Sequence, residues 1–86
     1  MEIVYTKNAQ ADLIYWKLKY QLKILKRIEH LLENILINPY TGIGNPEQLK
    51  HELSGLWSRR INKEHRLTYR VINKNQIEII SLRFHY

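Results

Sequence analysis

A hydrophobic repeat of helical period fills the first half of this chain and ends at Asn38-Pro39; beyond it, apolar residues alternate instead. That change of period restricts the fold more than any other feature. Between Ala9 and Asn38, residues Leu18, Leu22, Leu25, Ile28, Leu32 and Ile35 recur at spacings of three and four, one face of an α-helix. Leu13, Leu31 and Leu36 widen the stripe, and Lys17, Lys23, Lys26, Arg27, Glu29 and Glu33 lie mostly off it. Such a stripe is read as core. The segment is long for one globular helix, so a break near Lys19–Gln21 is expected, giving two antiparallel helices on a sheet. Asn8 offers an N-cap, and Pro39 disfavours helix at Asn38.

The remainder reads as strands. Glu2–Thr6 is β-branched and aromatic enough for a short first strand. Leu56–Ile61, His65–Ile72 and Gln76–Phe84 follow, joined by turns at Asn62-Lys63-Glu64 and Asn73-Lys74-Asn75. In the middle strand, Leu67, Tyr69 and Val71 share one face and Arg66, Thr68 and Arg70 the other. Pro39 to Asn45 is a loop with Gly42 and Gly44. Asn45-Pro46 is a helix-start signal and Gly55 a stop, which predicts a short helix or a turn of helix at 46–53, with Glu47 and Lys50 on one face. The expected class is α+β, in the order β-α-α-β-β-β, with an antiparallel sheet and two helices packed on one side.

Eighty-six residues suit a single domain, which buries about 60–65% of the surface its unfolded chain exposes. With 44% apolar residues, the chain is too hydrophobic for a disordered tail. It has no Cys, so disulfide frameworks and thiolate metal sites are excluded. No secretory signal or membrane span is visible, and a cytoplasmic protein is expected. Residues 1–49 carry six Lys/Arg against five Asp/Glu, whereas residues 50–86 carry eight against three. A basic second half suggests a polyanion partner, nucleic acid first; a merely soluble basic surface explains the charge as well.

An antiparallel sheet can leave one face in water. If Arg60 points the same way as Arg66 and Arg70, that face is a basic trough able to hold RNA phosphates; the alternative is three solvated strand residues. Phe84-His85-Tyr86 is the second feature. Phe84 is expected to pack and hold the end down, His85 to give or take a proton, and Tyr86 to hold a phosphate or stack a base; the same residues also read as an aromatic anchor. His30, His51 and His65 are weaker candidates, with His65 directed into the trough or capping a strand. No His/Asp/Glu set has metal-ligand spacing, and no Gly-rich phosphate loop is present. RNA cleavage without a metal or other cofactor needs a base for the 2′-hydroxyl, a cation on the phosphate and an acid for the leaving 5′-oxygen. Glu47, Arg66 and His85 would supply one of each.

These residues also carry a family resemblance. Asn45-Pro46-Glu47-Gln48-Leu49-Lys50-His51-Glu52-Leu53-Ser54-Gly55-Leu56-Trp57-Ser58-Arg59-Arg60-Ile61 resembles the core signature of the YoeB/Txe toxins of the RelE superfamily. Glu64-His65-Arg66-Leu67-Thr68-Tyr69 and Arg83-Phe84-His85-Tyr86 are similar to it too, whereas residues 1–38 match in layout only. The resemblance implies a type II toxin that enters the 70S ribosome and cuts mRNA in the A site without a metal, silenced by a YefM-like antitoxin and able to form a homodimer. It also implies that Glu47 is the general base, His85 the general acid and Arg66 the stabiliser of the transition state. Lys50 and Arg60 would contact phosphate or ribosome, and Tyr86 would position substrate. Phe84 stands where the family often has Tyr, a change expected to affect packing only. Two other readings are a gyrase-poisoning relative on the same fold, which has little use for a Glu/Arg/His set, and a basic binding module without chemistry, which leaves the Phe-His-Tyr ending unexplained.

Overall fold

The computed structural model describes residues 1–84, and His85 and Tyr86 lie outside the described residues. Strand β1 (Glu2–Tyr5) leads into helix α1 (Lys7–Leu18) and helix α2 (Leu22–Ile37). Strands β2 (Glu47–Gln48), β3 (Trp57–Arg60), β4 (Arg66–Asn73) and β5 (Gln76–Ser81) follow, with a 3₁₀ turn at His51–Leu53. The five strands form one sheet in the order β1-β5-β4-β3-β2. The expected α+β class and the β3–β4–β5 antiparallel meander are present. The sheet is mixed in one respect: β1 runs parallel to β5, Ile3 opposite Ile77 and Tyr5 opposite Ile79. A parallel pair needs a crossover, and the two helices supply it.

The helices break where the pattern predicts. Tyr20 adopts φ 53°, a left-handed conformation that reverses the chain between Leu18 and Leu22. The N-cap of α1 is Thr6 rather than Asn8. Its hydroxyl accepts from the Ala9 amide at 3.0 Å and donates to the Ile80 carbonyl at 2.8 Å. A cap of this kind contributes about 1 kcal/mol, and here it also ties α1 to β5. Asn38 closes α2 in extended conformation, as the following proline requires.

The core lies between the helices and one sheet face. Ile28, Leu31 and Ile35 of α2 and Trp16 of α1 pack on Leu67, Tyr69, Ile77, Ile79 and Leu82, all buried. The helical stripe is core from Leu25 to Ile35, whereas Leu18 and Leu22 are 72% and 71% exposed. They flank the helix reversal at Tyr20.

Of the helix or helical turn expected at 46–53, only the 3₁₀ turn at His51–Leu53 forms. Glu47 pairs with Ser58 and Gln48 with Trp57, and the Leu49 amide donates to the Leu56 carbonyl at 2.9 Å. Asn45 and His51 take positive φ, which encloses an extended segment, not a helical one. A helix this short gains few internal bonds, and the free edge of β3 offers better partners. Glu47 and Lys50 are therefore not helical neighbours. The last strand also ends earlier than expected, at Ser81.

Candidate functional site

Cross-strand register assembles the candidate site. Directly opposed residues of paired strands share a sheet face. Glu47 opposes Ser58, Ser58 opposes Thr68, and Arg60 opposes Arg66. Since Ser58 and Arg60 are two apart on β3, Glu47, Arg60 and Arg66 all lie on the face away from the helices. Glu47, Ser58, Thr68 and Ser81 form one row across four strands. Arg60 and Arg66 form the next row, about 7 Å further along. Ser58, Thr68 and Ser81 are buried, so a floor of small hydroxyl residues runs beside the arginine pair.

Arg66 is held at the turn before β4. Its Nη1 donates to the Asn62 carbonyl at 2.9 Å, with longer contacts to the carbonyls of His65 and Lys63. Asn62 shapes that turn by accepting the Glu64 and His65 amides at 2.9 and 2.8 Å. The Arg60 amide donates to the Gly44 carbonyl at 2.7 Å, and its carbonyl accepts from Arg27 at 3.0 Å, leaving the Arg60 side chain exposed. Glu47 is exposed too. Lys50 lies beyond β2, in extended conformation at the head of the 3₁₀ turn.

Three expectations need correction. Arg70 faces the same way as Arg66, but Glu78 neutralises it through a 2.8 Å ion pair, so the basic patch narrows to Arg60 and Arg66. His65 does not face the trough. It packs edge-on against Trp16, ring centroids 4.9 Å apart, on the helix side, as alternation with Arg66 requires. Phe84 does not pack down: its side chain is 62% exposed, and its backbone makes the attachments instead. The assignments to His85 and Tyr86 fall outside the described residues. Among the described residues, no three His, Asp or Glu side chains gather as a metal-ligand cluster, and no helix is long and apolar enough to cross a membrane.

Sequence reasoning missed Arg59, which is fully buried. Its guanidinium donates to Asn34 Oδ1 and the Asn38 carbonyl at 2.6 Å each, and to the Thr41 and Ile43 carbonyls and the Tyr69 hydroxyl at 3.0–3.2 Å. No carboxylate among the described residues pairs with it; carbonyl dipoles satisfy the charge instead. Arg59 thus fixes the 38–44 loop, which delivers Glu47 to β2. The signal was available: Arg59 sits one residue from Arg60, so alternation sends one of the two arginines inward.

The loop also explains Gly42. It adopts φ 126°, and a Cβ there would collide with Asn34 Oδ1, the acceptor of Arg59. Gly42→Ala is expected to destabilise the protein by about 2–3 kcal/mol, read as a lowered urea midpoint with unchanged slope.

Tyr69 completes the clamp by donating to the Pro39 carbonyl. Burial raises its hydroxyl pKa, partly offset by the hydrogen bond and charge of Arg59. The folded state therefore holds this proton more tightly than the unfolded chain does. The associated stability is fully present below the unfolded value, about 10, and is lost as pH rises through the folded value. Tyr69→Phe should flatten the alkaline loss of stability, measured as urea midpoints from pH ~8 to ~11.

Comparison with known proteins agrees with this architecture. Residues 5–86 match the family described as "YoeB-like toxin of bacterial type II toxin-antitoxin system". The chain is 48% identical to Toxin YoeB of Synechocystis over 86 residues, covering all of this chain and 98% of that relative. Among solved structures it resembles the YoeB/ParE toxin from Agrobacterium tumefaciens, at TM-score 0.94 and 38% identity with both chains fully covered. It also resembles the YoeB–YefM complex from Staphylococcus aureus, at TM-score 0.88 and 42% identity over all of this chain and 98% of that one; the S. aureus protein is known as a YoeB dimer too. With a family match spanning nearly the whole chain and relatives this close over their full lengths, the chain belongs to the YoeB-like toxins of bacterial type II toxin–antitoxin systems.

Proposed function

We propose that this toxin is an endoribonuclease that cuts mRNA in the A site of the bacterial 70S ribosome, in the cytoplasm. The observation that carries the reading is the register placing a carboxylate, Glu47, one row from two cations, Arg60 and Arg66, on the open sheet face. Glu47 takes the proton of the 2′-hydroxyl, and that oxygen attacks the adjacent phosphorus. Arg66 stabilises the charge that builds on the phosphate oxygens. His85 protonates the leaving 5′-oxygen, so each acid–base step has a side chain and the scheme uses no metal ion. Lys50 and Arg60 hold flanking phosphates, and Tyr86 positions the substrate.

A gyrase-directed or purely binding role has no need for a carboxylate beside the cations. A YefM-like antitoxin is the proposed neutralising partner, and a homodimer the proposed assembly, by analogy with the S. aureus YoeB–YefM complex and YoeB dimer. The test is to map mRNA 5′ ends by primer extension in a translating extract. Cuts are expected within the A-site codon, absent when ribosomes are withheld and suppressed by the YefM-like protein. Uncut message in the complete extract would overturn the proposal.

A further inference from the structure

Beyond Ser81 the chain leaves the sheet, yet its backbone polar groups remain paired, chiefly with side chains from distant elements. The Leu82 amide donates to Asp12 Oδ2 at 2.9 Å. The Leu82 carbonyl accepts from Trp16 Nε1 at 2.9 Å. The Phe84 amide donates to His65 Nδ1 at 2.8 Å, and its carbonyl accepts from the Arg66 amide at 2.8 Å. Asp12 and Trp16 belong to α1, one helical turn apart on its buried face. Between these attachment points the Arg83 guanidinium lies over the Tyr15 ring, 3.6 Å from its centroid.

Trp16 also packs in the core, but the polar groups of Asp12 and His65 are spent on this segment. Asp12 is a buried acid in a helix interior, where it costs helix propensity; its described bond is to Leu82. His65 presents an unprotonated Nδ1 to Phe84, which puts the neutral ring's proton on Nε2. Its ring is fixed edge-on by Trp16. Phe84 takes φ 60°, a conformation that costs energy for a residue with a side chain, so the two bonds at its amide and carbonyl must hold it there. Leu82 packs in the core, but Phe84 is exposed, so side-chain packing does not account for the conformation at Phe84.

We infer that His65, with Asp12 and Trp16, is a positioning set for the proposed reaction, fixing the backbone of residues 82–84, which His85 follows in the sequence. This rests on the reading of His85 as general acid. The neighbouring attachment, from the Arg66 amide to the Phe84 carbonyl, ties this segment to the strand carrying the proposed transition-state cation. Misplacement of a reacting group by about 1 Å can slow a reaction about 100-fold, which is the loss that such a clamp would prevent.

The test is a double-mutant cycle on single-turnover cleavage of ribosome-bound mRNA. His65→Leu removes the acceptor but keeps bulk, and His65→Asn can place Oδ1 where Nδ1 stands. His65→Leu is expected to lower the cleavage rate about 10–100-fold with ribosome affinity unchanged, and His65→Asn to restore most of it. In a His85→Gln background, where residual cleavage is followed over long incubations, His65→Leu should have no further effect. An equal loss in both backgrounds, or a loss confined to ribosome affinity, would overturn the inference. Full activity of His85→Gln would instead overturn the acid assignment beneath it. Hydrogen exchange provides a second measure: the Phe84 amide should lose protection in His65→Leu while core amides of β5 keep theirs, and unchanged Phe84 protection would also count against the clamp.

Discussion

Glu47→Gln is expected to lower the single-turnover cleavage rate by about 10²–10⁴-fold, the usual worth of a general base, while leaving the folded state intact. Glu47 is exposed in a two-residue edge strand, and the amide is nearly isosteric, so β2 should persist and the thermal midpoint should move little. His85→Gln should give a loss of the same order, and Arg66→Gln about 10²–10³-fold, the range for one stabilising donor. In the proposed scheme the three act on one transition state, so their effects should not multiply: Glu47→Gln with His85→Gln should fall well short of the product of the singles. Arg66 also braces the turn at Asn62, so part of its loss should appear as weaker ribosome binding. Single-turnover rates at saturating ribosomes, set beside melting curves, separate these contributions. Cleavage within a few-fold of wild type in Glu47→Gln would remove the carboxylate from the mechanism.

Arg59→Met is expected to be the most damaging single change to stability, at about 3–4 kcal/mol. Methionine roughly fills the space but removes the donor to three loop carbonyls and to Asn34 Oδ1, which keeps only the Ile43 amide. A buried acceptor that loses its partner costs about 1–3 kcal/mol, and water recovers part of that at these part-buried carbonyls. For a chain of this size the melting temperature should fall by roughly 15–25 °C. Arg60→Met, one residue along and on the opposite face, should change the melting temperature by no more than a degree or two while weakening RNA-dependent function. Two adjacent arginines would thus separate cleanly into one that holds the fold and one that faces the substrate. Equal melting temperatures for the two variants would contradict this division.

The helix–helix–meander order was legible because period is written directly in the apolar residues, and the break at Tyr20 followed from segment length. What escaped detection depended on partners distant in sequence. β2 was misread as helix because Asn45-Pro46 is a local start signal, whereas Ser58, the residue of β3 that pairs with Glu47, is eleven positions away. The parallel pairing of β1 with β5 spans over seventy residues and has no local signature. Among the candidate site residues, alternation grouped Arg66 with Arg70 and left the direction of Arg60 open, which the β3–β4 register decides. It could not reveal that Glu78 claims Arg70, nor that carbonyls of the 38–44 loop claim Arg59. His65 was ambiguous for the same reason: its neighbours Trp16 and Phe84 come from opposite ends of the chain.

The attachment of Leu82 to Asp12 and Trp16, 70 and 66 positions earlier, also orders events in time. A nascent chain emerges from its N-terminus, so Asp12 and Trp16 are made long before Leu82. A helix as short as α1 is marginal on its own, and contacts of such separation close late and slowly. Until they close, residues 82–84 have neither Asp12 nor Trp16 to hold them. The clamp on this segment is thus among the last parts of the fold to form, and an activity that depends on it should appear only after synthesis of the chain has ended.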